Sequence, residues 1–582
     1  MILESPPLSS VEVAPLAKVT LLSKRMRTST AIQCFLSDTG ANLLRTWIIN
    51  ACLLMLAITC LAQGHDHGPA EKLGTVHFAT SCNQEAQQEI NRAVALLHSF
   101  QFSRAIAGFH SALKDDATCG IAYWGIALSQ WSNPFAAGLK EKSQLEGGRG
   151  SAELGENTGA KTDRERVYIR AVAALYKDFE STPQRSRLIA YREAMEAVAA
   201  KYPTDHEAQI FYALAIAASE DPADKTYAGR LKAGAILGKL FEEEPNHPGL
   251  AHYIIHTYDV PALAGRALEA ARRYSEIAPD APHALHMPSH TFTRTGYWQD
   301  SIRSNVAAAA AAKREGQAAE ELHASDYEIY AYLQTAQDEA ARRVLTSLPE
   351  IASRFEPNVV IGGAASPAAG YYALAAVPAR YALERGDWKQ AAQLTPRETP
   401  FPYTDAITWF ARGLGAARLG QASAAYESAA ALKRIQEVLL KSGENYWALQ
   451  VEIQELEVRA WARMVEGSQP DALRQLQAAA ELEDSTEKSA VTPGPIAPAR
   501  ELLGEMLLAA NQPAPALEQF EATLRKEPRR FRALYGAGQA AQLAGRPELS
   551  RRYFGELVTV CENGDRPGRA ELMEAQKAVS SN

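Results

Sequence analysis

The sequence predicts an all-α solenoid, on three observations. After residue 85 apolar side chains recur at helical spacing, with no convincing strand run. A set of small and aromatic residues then repeats every 34 positions. With 37 Gly and 30 Pro in 582 residues, the chain is too poor in both for low complexity, and 47% apolar with 22% charged residues is an ordinary globular balance. Near the C-terminus Leu503, Gly504, Leu507, Asn511, Ala516, Phe520 and Pro528 mark one unit. Ala537, Gly538, Ala541, Gly545, Ser550 and Phe554 restate it 34 residues later. Phe102, Ala105, Phe109 and Ala112 fit the second half of the same template, as do Gly386, Trp388 and Ala391, and less closely Gly467 with Ala472. One such unit cannot bury its apolar face alone, so units must stack, and about eight to ten are expected between residues 85 and 575.

Taken in order, the first 63 residues read as leader rather than fold. Arg45 precedes an apolar run from Trp47 to Leu61, followed by Ala62-Gln63-Gly64: a positive flank, a short apolar core and small residues, as in a secretory signal peptide. The run is shorter than the ~20 residues of a membrane-spanning helix, which leaves an N-terminal anchor as the competing reading. Met26 is an alternative start. The expected destination is the periplasm or the extracellular space. Export bears on the cysteines: Cys34, Cys52 and Cys60 fall in the leader, while Cys82 and Cys119 read equally as a disulfide across the first helix pair or as two buried small residues. Cys561 has no obvious partner. Residues 64–84 form a lead-in whose His65-Asp66-His67 reads as a solvated tail.

An N-terminal array is expected over 85–355. Within it Gly138 to Thr162, with its Gly-Gly-Arg-Gly-Ser run, reads as a mobile excursion. Residues 356–370, rich in Gly, Pro and Ala, read as a linker to a second array over 371–575, and 576–582 as a tail. Ser485 to Pro498 is a further candidate hinge.

Seven of the thirteen histidines lie between residues 247 and 323. His252-Tyr-Ile-Ile-His256 and His286-Met-Pro-Ser-His290 each put two imidazoles one turn apart on a helix face. Both histidines of the second pair follow their counterparts by 34 residues, one repeat length. Pro288 removes a helical hydrogen bond inside the second pair, so a kink is expected there.

The 34-residue helix-turn-helix unit resembles the tetratricopeptide repeat, which implies a right-handed superhelix whose groove is lined by positions 2, 5, 9 and 12 of each first helix. Ala267, Tyr274 and Pro279, then Gly296, Trp298 and Ser301, fix the register independently of the histidines. That register assigns His252 and His286 to position 5, His256 and His290 to position 9, and His283 and His323 to position 2. Asp326 and Tyr330 follow at positions 5 and 9. The expected metal ligands are therefore His252, His256, His286, His290, His323 and Asp326, with His283 as an additional candidate. Imidazoles with a carboxylate suit a divalent transition metal such as Zn, Fe, Mn, Cu or Ni, as one ion or as two sharing Asp326. Histidines on a helix face can instead bond one another or a partner's carboxylate.

The HExxH glutamate, a GxSxG elbow, a P-loop and a strand-borne GxGxxG do not occur, which excludes zincin, serine-hydrolase, nucleotide-hydrolase and Rossmann chemistry. A net charge of −8, without a Lys/Arg block, argues against a nucleic-acid binder. If the groove is catalytic, Asp326, Tyr330 and Tyr258 are the candidates to move protons. Asp259 is read as closing the turn after its helix.

The runs LGTVHFATSC (73–82), AYWGIALS (122–129), HPGLAHYIIHTYD (247–259), APHALHMPSHTFTRTG (281–296) and HASDYEIYAYLQ (323–334) together resemble a family of exported bacterial tetratricopeptide-repeat proteins. The resemblance covers about residues 73–350 and implies the fold and export. The expected function is an exported scaffold that binds a protein or peptide in its groove and carries a His-rich metal site, the alternative being a hydrolytic or oxidative metalloenzyme.

Overall fold

A computed structural model describes residues 71–580, apart from 137 and 222. The leader, the alternative start at Met26 and His65-Asp66-His67 lie outside the described residues. From Glu71 onward the chain forms one compact unit.

Every regular element among the described residues is helical. They run as twelve antiparallel pairs, from Gln84–His98 with Phe102–Asp115 to Phe531–Leu543 with Pro547–Val560, closed by Ala570–Ser580. The units beyond the expected ten are those without the template's Gly and aromatic marks. Where the marks occur they do what the pattern implies. Phe109 presses on Gly125, Phe520 on Gly504 and Gly536, and Phe554 on Gly538, each closer than a Cβ would allow. Gly296, Gly386, Gly467 and Gly545 turn between paired helices at positive φ, where other residues are strained. No described helix is long and apolar enough to cross a membrane.

Three stretches differ from expectation. Lys142–Thr158, expected to be mobile, is a helix opened by a reciprocal cap between Glu141 and Gln144. Its glycines permit close packing: a Cβ on Gly148 would lie 2.1 Å from the Tyr176 ring. Residues 356–366 do connect two helices, but they lie against the N-terminal repeats. Ser103 N–H donates to Gly362 O at 3.0 Å, and Ala365 N–H to Glu320 Oε1 at 2.8 Å. Residues 485–498 cross the inside of the array as a strap. Cys82 and Cys119 are disulfide-bonded, whereas Cys561 is free and buried.

The array also returns upon itself. Trp298 Nε1 donates to Arg529 O at 3.0 Å, Gln334 Oε1 accepts from Phe531 N at 2.9 Å, and Arg530 Nη1 donates to the Tyr330 hydroxyl at 2.9 Å. Together with the strap, these contacts seal the groove over the histidines.

Candidate metal centre

Helix Pro248–Thr257 starts with proline in its first turn, where no donor is needed, and is buried along its length. It carries His252 and His256. The first helix of the next unit is split by Pro288 into Pro282–His286 and Pro288–Arg294. The kink is shallow, since Met287 keeps helical φ and ψ and His290 N–H still reaches Met287 O at 3.1 Å. His286 and His290 therefore remain on one face. Helix Ala318–Gln334 supplies His323.

These residues form two triads, His252/His256/His283 and His286/His290/His323, each with its donor atoms within 4.8 Å of one another. Each triad is an HxxxH pair plus one histidine from further along the chain, so the same constellation occurs twice, one repeat apart. The triads adjoin, with ring centroids 5.9 Å apart for His256–His290 and 6.0 Å for His283–His286. His283 is a full member of the first triad.

Hydrogen bonds fix which nitrogens are free. His252 Nδ1–H donates to His98 O at 2.6 Å, His286 Nδ1–H to Asn305 Oδ1 at 2.7 Å, and His290 Nδ1–H to Asp259 Oδ2 at 3.0 Å. Asn305 is itself oriented, because its Nδ2 donates to Ser301 O at 2.8 Å. All three acceptors lack a proton to give, so the three Nε2 atoms carry lone pairs. His286 Nε2 and His290 Nε2 face each other at 3.1 Å, as do His252 Nε2 and His283 Nε2. Nδ1 of His283 and His323 and Nε2 of His256 are buried without a hydrogen-bond partner.

Burial pushes all six imidazoles below their ordinary value, His252 and His323 to about 3. Burial alone would raise the Asp259 carboxyl. Lys488, His290 and Arg294 outweigh it and hold the group well below the carboxylate range. Asp259 is thus the carboxylate behind His290 rather than the turn residue expected: Lys488 Nζ and Arg294 Nε each lie 3.0 Å from it. Behind His252 stands His98. Its ring and that of His247 share Glu207, at 2.9 and 3.0 Å. That carboxylate, which burial alone would raise, is held low by the two imidazoles.

The expected carboxylate ligand is misplaced. Asp326 is fully buried, but its Oδ1 accepts from Arg380 Nε at 2.8 Å and it joins neither triad. At about 100° per residue, three positions beyond His323 lie some 60° off its face, whereas four lie within about 40°. Tyr327 accordingly stands where Asp326 was expected. Its ring is 4.8 Å from those of His286 and His290, and its hydroxyl donates to the strap carbonyls of Ala490 and Thr492 at 3.1 and 3.0 Å. Tyr330 is one turn deeper, between Arg530 and Glu527. Tyr258 packs its ring on Gly234. None of the three proton-transfer candidates lies in the cluster. Tyr327 is recoverable from the i,i+4 rule applied to His323, while Asn305, His98 and Glu207 carry no local signal because their contacts are long-range.

His256, His283, His290 and His323 line a cavity of about 500 Å³, solvent at its mouth included, walled by Tyr403, Trp447 and the strap residues Ala490 and Val491. The strap and the returning C-terminal repeats occupy the groove here, so a peptide laid along it would not reach the histidines.

No family profile and no curated protein matches this chain. Solved structures similar to it include YrrB, described as a TPR protein with an unusual peptide-binding site, at 19% identity over 35% of this chain and 92% of that one, TM-score 0.19. A human IFIT1 dimer with m7Gppp-AAAA matches at 12% identity over 83% and 96%, TM-score 0.34. The Cut9 and Hcn1 hetero-tetramer of the APC/C matches at 14% identity over 85% and 90%, TM-score 0.32.

Proposed function

We propose that this solenoid is a metalloprotein in which two adjacent three-histidine sites each hold a divalent transition-metal ion facing a small cavity. The observation that carries this reading is the pair of lone-pair nitrogens, His286 Nε2 and His290 Nε2, at 3.1 Å. Two acceptors at that distance repel, and burial opposes the imidazolium that would otherwise bridge them. A tetrahedral ion with nitrogen ligands at about 2.05 Å spaces them about 3.3 Å apart, so a cation turns the repulsion into coordination. The donors behind the triad support it too, since ligating imidazoles ordinarily donate their other N–H to a carboxylate, carbonyl or amide oxygen. An all-imidazole set suits Zn, Cu, Fe or Ni better than Mn.

Three protein ligands with one side on a cavity is the pattern of sites that exchange a water or small ligand, whereas structural sites are closed by four. This favours the second reading, a hydrolytic or oxidative enzyme acting on a small molecule, over a purely architectural metal. The Cys82–Cys119 disulfide supports export to an oxidising compartment.

Elemental analysis of residues 64–582, purified without a His tag or chelating column, tests the reading. The expected result is two ions per chain, and one in each of the double variants His252→Ala/His256→Ala and His286→Ala/His290→Ala. No metal in the parent chain, even after reconstitution, would overturn it. Hydrolytic and oxidative substrates would then be screened on the loaded parent, with the double variants as controls.

A further inference from the structure

A second cleft lies beyond the wall of the histidine cavity and shares Tyr403 and Trp447 with it. We propose that this cleft binds an organic cation, an amine or guanidinium on an aromatic or aliphatic body, between a stacked aromatic wall and the carboxyls of Glu457 and Glu483. The site is independent of the metal reading.

The space is adequate: about 1050 Å³, solvent at the mouth included, within the range of small-molecule sites. Tyr403 and Trp447 stack at 4.0 Å with their planes 5° apart, and Phe410 extends the wall. Aromatic faces of this kind attract cations through the ring quadrupole. At the rim Arg500 and Lys526 both pair with Asp484, and side-chain exposures of 20–40% show that the cleft reaches solvent there.

The charge balance selects the sign of the ligand. Every lining cation already has a carboxylate: Arg294 and Lys488 share Asp259, while Arg500 and Lys526 share Asp484. Glu487 is taken by Lys225 and Glu527 faces Arg294. Glu457 and Glu483 remain, and among the described residues no ion pair reaches either. Glu483 accepts only Ala499 N–H, at 3.1 Å, through Oε2. Glu457 is 1% exposed, and its Oε1 has no hydrogen-bond partner. The neighbouring Gln454 Oε1 is a second free acceptor, so the cleft presents acceptors without donors at one place. An unpaired buried carboxyl is costly unless neutralised, and burial raises both groups, Glu483 to about 7. An ammonium or guanidinium supplies the missing donors and charge.

The test is calorimetric titration of the full mature chain with phenethylamine, 2-phenylethanol and phenylacetate, which share a body and differ in charge. The expected result is saturable 1:1 binding of the amine at least tenfold tighter than the alcohol, with the acid weakest. Glu457→Gln/Glu483→Gln should lose at least tenfold for the amine and keep its affinity for the alcohol. His286→Ala/His290→Ala should bind the amine as the parent does. Equal binding of the three probes, or binding of none, overturns the proposal without any variant. Amine binding that disappears in the histidine variant overturns it as well, because the amine would then be a metal ligand.

Discussion

Asn305 gives the second triad a fixed tautomer. Its Oδ1 takes the His286 Nδ1 proton at 2.7 Å, and its own amide is held by Ser301. Asn305→Leu keeps the volume and removes the acceptor, so affinity at the second site is expected to fall about 10–100-fold while the first site is unchanged. A chelator-competition titration resolves the two sites, and equal weakening of both would sink this account of Asn305. A different residue sets a pH dependence. Glu320 is buried, accepts Ala365 N–H, and is pushed up by burial to about 7. Between the unfolded value near 4.5 and about 7 the folded state holds a proton that the unfolded state lacks, so its contribution to stability falls as pH rises. Relative to Glu320→Gln, which keeps the acceptor and cannot ionise, the parent should lose about 2–3 kcal/mol between pH 5 and pH 8 in urea unfolding. An unchanged difference would mean that the site hydrates the carboxylate. The residue scale also shows what was legible in the sequence. The HxxxH pairs and their 34-residue offset identify histidines that do meet in space. Asp326 does not join them, because a repeat template fixes which turn faces the groove but not a 60° rotation within it.

At the level of elements, glycine content misleads when it is read without packing. The helix Lys142–Thr158 contains Gly147, Gly148, Gly150 and Gly155, a composition that suggests a loop. Gly148 is there because Tyr176 occupies the space a Cβ would need, at 2.1 Å, whereas Gly150 has nothing within 4 Å. The two substitutions are therefore expected to have opposite signs. Gly148→Ala overpacks the junction and costs about 1–3 kcal/mol despite better helix propensity. Gly150→Ala gains up to about 1 kcal/mol, since only propensity and backbone entropy change. Thermal melts of the two variants decide the matter: two changes of the same sign would mean that Tyr176 moves aside freely. The strap at 485–498 was unreadable for a related reason. Its Pro, Gly, Ser and Thr residues announce a turn-rich segment, but its place is set by side chains far away in sequence, Lys488 on Asp259 and Arg380 on Thr492 and Gly494.

Over the whole molecule the question is why a linear array should behave as one body. Solenoids contact only their neighbours, and their stability is then a sum over adjacent interfaces. This chain adds junctions between distant units, and Arg530 is at the centre of one. It is 1% exposed, lies 2.6 Å from Glu384, holds Glu501 through two nitrogens at 2.8 and 3.0 Å, and donates to Tyr330. Those partners belong to three other units. Arg530→Met keeps the bulk of the stem but strands Glu384 and Glu501 as buried acids, at an expected cost of about 3–5 kcal/mol. With an unfolding entropy of roughly 2 cal/mol/K per residue, a body of about 510 residues loses only about 1 °C per kcal/mol, so full cooperativity implies a shift of about 3–5 °C in a single transition. If the junction is what couples the C-terminal units to the rest, the variant should instead melt in two steps, a smaller early one for the C-terminal units and a later one near the parent Tm. Differential scanning calorimetry separates these outcomes, and the closed groove around the histidines favours the second. The repeats flanking the metal triads gain their cover from the returning units, so metal should be released with the early step and not the late one. A single transition at the parent Tm would show that the seal over the groove is held by the strap alone.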